Sequence, residues 1–195
     1  MITYHTRQFI RMFANLMIDL YRSRRTRKYL WIPLVILGAG LSIPQNIIIP
    51  VQGATPSAWN ENSFWAYPWG KSITHKGVDI FADQSTPVVA STAGLVVWTG
   101  HNGMGGNSVV ILGPKWRFHY YAHLETIKAF TLKPVKQGSV IGTVGNTGNA
   151  AGKPFHLHYT ISTPLPYFWR KDDTIQGWKK MFYLDPDEFL RPQNQ

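Results

Sequence analysis

The chain has no cysteine. That excludes disulfides and thiolate metal sites, leaves the redox compartment open, and means that any metal must be held by histidine, aspartate or glutamate. Acidic residues are also scarce, ten against twenty lysines and arginines in 195 residues, for a formal charge of +10. The excess is unevenly placed. Residues 1–28 carry seven basic residues and one acid, Asp19, a net +6, whereas the remaining 167 residues carry only +4. The body thus lacks the dense basic face of a nucleic-acid binder, and no nucleic-acid partner is expected. No charge falls between Tyr29 and Ile49, and no long helical period runs from Thr74 to Ile161. No internal repeat stands out.

What is plentiful is aromatic residues, glycine and proline, a mixture that favours strands and turns over a helical bundle. The basic run "RSRRTRK" stands just before "YLWIPLVILGAGLSIPQNIIIPV". About 20 apolar residues span a bilayer, and a basic flank stays on the cytoplasmic side. This predicts a transmembrane anchor over 29–49, a basic cytoplasmic segment over 1–28, and a body on the periplasmic or extracellular side of a cytoplasmic (inner) membrane. The alternative is a cleaved signal peptide, with the small residues Gly53 and Ala54 near the cut. Within 1–28, Phe9, Phe13, Leu16 and Leu20 lie near helical spacing and predict a basic amphipathic surface helix. Residues 50–66 read as a linker, and the folded domain is expected over 67–195.

That body reads as mainly β. "TPVVAS", "GLVVWTG", "NSVVIL", "RFHYYAHL", "SVIGTVG" and "FHLHYTI" have strand composition, and Asn102-Gly103 in "HNGMGG" is a hairpin signal. The expected fold is a compact antiparallel sheet or sandwich preceded by one N-terminal transmembrane helix. "GNTGNAAGKP" looks like a phosphate-binding loop but is not one. Thr147 stands where its first glycine belongs, and Pro154 where its magnesium-binding hydroxyl belongs.

Two short patterns carry chemistry. In "FHLHYTI", strand alternation puts His156, His158 and Thr160 on one face and Leu157, Tyr159 and Ile161 on the other. In "THKGVDIFA", His75 and Asp79 are spaced H-x-x-x-D, with Gly77 as a turn into a strand. Each pattern alone also arises by chance, as hydrogen-bonded strand histidines or a surface carboxylate. Together they offer two imidazoles and a carboxylate around an open fourth position, the stoichiometry of catalytic zinc; magnesium and calcium want more oxygen ligands. Periodicity shows only that His156 and His158 face together. By the same parity His119 shares a face with His123, although no role follows from that.

The run of "HKGVDI", "TPVVASTAGLVV", "GGNSVVI", "YYAHL", "VKQGSVIGTVGNTGNAAGKPFHLHYTI" and "YLDPDEFL", over roughly residues 68–190, resembles the lysostaphin-type (LytM-like) zinc endopeptidases. The resemblance implies a β fold with a groove across the sheet and one zinc ion held by His75, Asp79 and His158. His123 and His156 would be the catalytic histidines, either able to act as base. The implied substrate is peptidoglycan peptide, stem-peptide crosslinks or glycine bridges, cut by a metal-activated water. Two departures stand out. "YPWGKSITH" replaces the family's Ser-x-Phe-Gly-x-Arg-like stretch, and "TPLPYFWRKDDTIQGWKKMFY" follows the histidine strand, with Trp169 and Trp178 as either a groove wall or a packed surface excursion. The rival function is a non-catalytic peptidoglycan-binding module or an activator of another wall hydrolase. An enzyme held in check by a covering segment or a regulatory protein partner is also compatible with the sequence.

Overall fold

The computed structural model describes residues 29 and 31–191. The amphipathic helix expected over 1–28 lies outside them. The chain divides into two units, residues 1–42 and 43–195. In the first, α1 spans Trp31–Ser42, and the Ser42 hydroxyl donates to the Gly38 carbonyl at 2.8 Å. Twelve residues rise about 18 Å, against a hydrocarbon core of about 30 Å. Among the described residues, no helix is long and apolar enough to cross a membrane. The span expected over 29–49 is therefore not one helix. Pro44, two residues past its end, has no amide to continue it and disfavours a helical Ile43.

The second unit begins well before the expected boundary at residue 67. The Ile48 amide donates to Ser91 O at 3.0 Å, the Val89 amide to Pro50 O at 2.9 Å, and Val51 bridges Val88. Val51 and Trp59 are buried, and the Trp59 indole donates to Asp187 at 2.6 Å. The segment read as membrane end and linker is thus a strap packed on the domain. Its apolar residues have the composition of either, and the core claims them.

Among the described residues, nine strands build the unit: β1 (Val78–Phe81), β2 (Pro87–Val89), β3 (Gly94–Asn102), β4 (Gly106–Leu112), β5 (Phe118–Ile127), β6 (Pro134–Val135), β7 (Val140–Val144), β8 (His156–Ser162) and β9 (Tyr183–Leu184), followed by the short helix α2 (Asp187–Leu190). The order is β1-β8-β5-β4-β3-β6; β2 pairs with β7, which also pairs with β5, and β9 pairs with β8. Every pairing is antiparallel, as the patterning implies. The β3–β4 hairpin turns at Gly103, with Asn102 opposite Gly106.

One face of the sheet is core. Val78, Ile80, Val109, Ile111, Tyr121, Leu157, Tyr159 and Ile161 are fully buried, each aliphatic among them stabilising by about 1.5–3 kcal/mol. The opposite face of β8 carries His156, His158 and Thr160 into a groove. Alternation fails in β5. His123 takes φ +63°, and the β4–β5 register shifts between Asn107 and Val109. The left-handed residue reverses the parity that would place His119 beside His123. His119 is buried in the core, whereas Tyr120, Ala122 and His123 line the groove.

Candidate active site

Strand register assembles the site. β1 and β8 pair so that Asp79 stands opposite His158 and Phe81 opposite His156, and β5 brings Ala122 opposite His158 on the other side. His75 precedes β1 and enters through Gly77. A Cβ at Gly77 would lie 2.2 Å from Tyr159 O and 2.6 Å from Thr160 Oγ1, so only glycine lets the chain approach β8 this closely. A second glycine delivers His123. Gly106 sits at φ +61°, where a Cβ would meet Thr147 Oγ1 at 2.2 Å. The neighbouring Gly105 carbonyl accepts the His123 amide at 2.8 Å.

Three side-chain atoms converge. His158 Nδ1 is 2.8 Å from Asp79 Oδ1, His75 Nε2 is 3.1 Å from the same oxygen, and the two nitrogens are 3.1 Å apart. They form a cluster able to hold a metal ion. The outer contacts orient the two rings. His75 Nδ1 lies 3.0 Å from the Ser63 carbonyl, which can only accept, so Nδ1 carries the proton and Nε2 presents a lone pair. His158 Nε2 stands 3.0 Å from Thr160 Oγ1, a hydroxyl able to accept its proton, and in that tautomer Nδ1 turns a lone pair toward Asp79. Burial pushes the His158 pKa below its ordinary value, against the pull of the Asp79 carboxylate. Two lone pairs and a carboxylate oxygen crowded at 3 Å are mutually repulsive unless a cation sits among them. The donor set of two imidazoles and one carboxylate is that of catalytic zinc, and the residues fit such an ion.

The other two histidines are oriented in the same manner. His156 Nδ1 donates to Pro154 O at 2.7 Å and His123 Nδ1 to Thr147 O at 2.8 Å, so each turns Nε2 toward the groove. His156 Nε2 is 4.0 Å from Asp79 Oδ2, and the His123 and His156 rings are 5.0 Å apart, edge to face. Burial, joined by His158 and His156, pushes the His123 pKa down to about 4, so the ring is neutral at pH 7. The structure therefore brings His75, Asp79, His158, His156 and His123 to one groove of about 750 Å³.

Other contributors were not visible in the sequence. The Ser63 and Thr147 carbonyls orient ligands or neighbours through backbone atoms, which leave no residue-type signal. Thr160 was legible by parity alone. Trp69, in the stretch that departs from the family pattern, stacks on the His75 ring at 4.1 Å and 20°. Of the later excursion, Tyr183 lines the groove, whereas Trp169 and Trp178 are exposed and stand outside its lining.

The model of Peptidase family M23 matches residues 73–169, about half of the chain. The chain belongs to Peptidase family M23. This M23 chain is 38% identical over 112 residues to the L-Ala--D-Glu endopeptidase of Bacillus subtilis, a match covering 53% of this chain and 32% of that protein. It is 38% identical over 90 residues to the peptidoglycan DD-endopeptidase ShyC of Vibrio cholerae, covering 46% of this chain and 20% of ShyC. Among solved structures it is similar to a zinc-containing peptidase from Vibrio cholerae, with 26% identity, a TM-score of 0.50, and coverage of 60% of this chain and 36% of that one. The M23 chain thus spans about a fifth to a third of the length of these curated relatives. The lysostaphin-type resemblance and the M23 match meet in the same residues.

Proposed function

We propose that this chain is a membrane-anchored zinc metalloendopeptidase that hydrolyses peptide bonds of peptidoglycan on the outer side of the cytoplasmic membrane. The observation that carries this reading is the convergence of His75 Nε2, Asp79 Oδ1 and His158 Nδ1 within 3.1 Å, with two further imidazoles turned to the same groove. The family membership and the endopeptidase names of its relatives support the reaction class. The basic residues ahead of the charge-free helix α1 support membrane attachment through residues up to Ser42, and its direction.

His75, Asp79 and His158 would hold the ion, with Ser63 O and Thr160 Oγ1 locking the two rings. Bound zinc supplies Lewis acidity, lowering the pKa of water toward neutrality and polarising a scissile carbonyl. The chain's own residues move protons. A neutral His156 or His123 accepts a proton from water at Nε2, and the protonated ring then donates it to the leaving amine. With the Nδ1 proton of each ring tied to a backbone carbonyl, both imidazoles aim Nε2 inward without reorganisation. Chains that only bind peptidoglycan have no need of this constellation, which disfavours the non-catalytic alternative.

The test is mass analysis of muropeptides after incubating peptidoglycan with the zinc-loaded full-length protein. New peptide termini that vanish with a chelator and return with zinc are expected. Absence of new termini with a folded, zinc-loaded protein would favour the binding module. Protease shaving of spheroplasts should digest the C-terminal domain; protection by an intact inner membrane would overturn the orientation.

A further inference from the structure

The groove is electrostatically one-sided. Its charged lining residues are Lys76, Lys153 and Asp79, and the one carboxylate is turned onto His75 and His158. Three acids outside that lining are engaged within the chain. Glu125 accepts from Gln84 and Ser85, Asp172 from Lys180 and Thr174, and Asp187 from Trp59 and Arg191.

The two lysines stand at opposite ends of β8. Lys153 lies three residues before His156, on a loop fixed by its own amide to Ala150 O at 2.9 Å and by Asn146 Nδ2 to its carbonyl at 3.2 Å. It is exposed, and no ion pair among the described residues includes it. At the far end, Lys76 sits next to Gly77, which abuts Thr160. Its ammonium is pinned by Ser72 O, Thr74 O and Oγ1 and Gln176 Oε1, over the Trp65 ring at 5.7 Å. Burial lowers its pKa, and the charge of Lys179 adds to that shift. Lys179 stands over Trp178 at 5.6 Å and likewise enters no ion pair among the described residues. Positive charge has been placed at both ends of the cleft, and among the described residues that line it Asp79 is the one acid.

We infer that the groove selects peptides bearing free carboxylates on both sides of the scissile bond, the chemistry of a crosslinked stem peptide, over a neutral oligoglycine bridge, and that Lys153 is a specificity-determining residue. This rests on the peptidase reading above. A neutral bridge gains nothing from cations at either end, whereas a peptide with carboxylates is drawn in and held in register across the donor triad.

The full-length, zinc-loaded protein is offered three synthetic substrates: a crosslinked peptide with free carboxylates, its twin with those carboxylates amidated, and pentaglycine. The expected kcat/KM favours the free acid over its amidated twin by about 10-fold, chiefly through KM, with the margin shrinking as salt is raised. Lys153→Glu should cut that preference by at least about 5-fold, the upper range for an exposed ion pair. Equal rates on acid and amide, or a preference for pentaglycine, would overturn the inference and leave the peptidase standing. If none of the three is cut, the peptidase reading fails. Calorimetric titration of the same three peptides then decides the inference separately, and binding that ignores the carboxylates overturns it.

Discussion

β5 and β8 carry histidine on both faces of one sheet, and the two faces treat it in opposite ways. On the groove face, four imidazoles have one nitrogen partnered by the chain and the other turned toward the cavity or the triad. On the core face, His119 has both nitrogens satisfied. The Arg117 guanidinium can only donate, so it takes Gln45 Oε1; the Gln45 amide nitrogen then donates to His119 Nε2 at 3.1 Å. His119 Nδ1 must carry the proton, which goes to the Tyr159 hydroxyl at 2.7 Å, and that hydroxyl meets Ser91 Oγ at 2.8 Å. Burial, with Arg117 adding to it, pushes the His119 pKa down to about 3. A histidine is therefore read as reactive or structural by what remains unsatisfied at its ring, not by its presence on a strand.

Breaking the groove face should give the largest effect. His158→Ala removes a ligand at the centre of the cluster. We expect loss of the bound metal by mass spectrometry and a fall in muropeptide release well beyond the 10–100-fold typical of an outer contact, with the thermal unfolding transition retained. A protein that keeps its zinc after this change would sink the ligand assignment. Thr160→Val sharpens the comparison by deleting only the hydroxyl beside His158 Nε2. Zinc affinity in a competitive chelator titration should fall about 10–100-fold.

The core face should respond in stability instead. His119→Leu strands the Gln45 amide nitrogen and removes one of the two partners of the Tyr159 hydroxyl, and should cost about 1–3 kcal/mol in denaturant unfolding, with little change in activity per folded molecule. Its pH signature has a definite sign. A folded pKa depressed from 6.5 to about 3 stabilises the fold above pH 6.5, and that contribution drains as pH falls toward 3. The native protein should therefore lose stability over that window more steeply than the leucine variant. Parallel pH profiles for the two would remove His119 from the account.

Much of the site was legible because β8 obeys period two. Leu157, Tyr159 and Ile161 mark the core, so the histidines between them had to face away. His75, Gly77 and Asp79 were legible as a glycine turn entering a strand. Parity failed at His119 because one residue between it and the turn, His123, adopts a left-handed conformation for which its side chain gives no signal. The domain's start was misplaced for a different reason. Ile47, Ile49, Val51 and Trp59 are apolar enough for a membrane flank or a core, and composition does not choose between solvents. The carbonyls of Ser63 and Thr147 stay hidden from any reading by residue type.

The strap from Gln45 to Val51 also bears on processing. Scission near Gly53 and Ala54, where a leader peptide would end, would carry away the Gln45 amide that His119 and Arg117 share, the Ile48 amide that caps Ser91, and the Val51 bridge to Val88. A product trimmed there would start life with an opened seam in its interior.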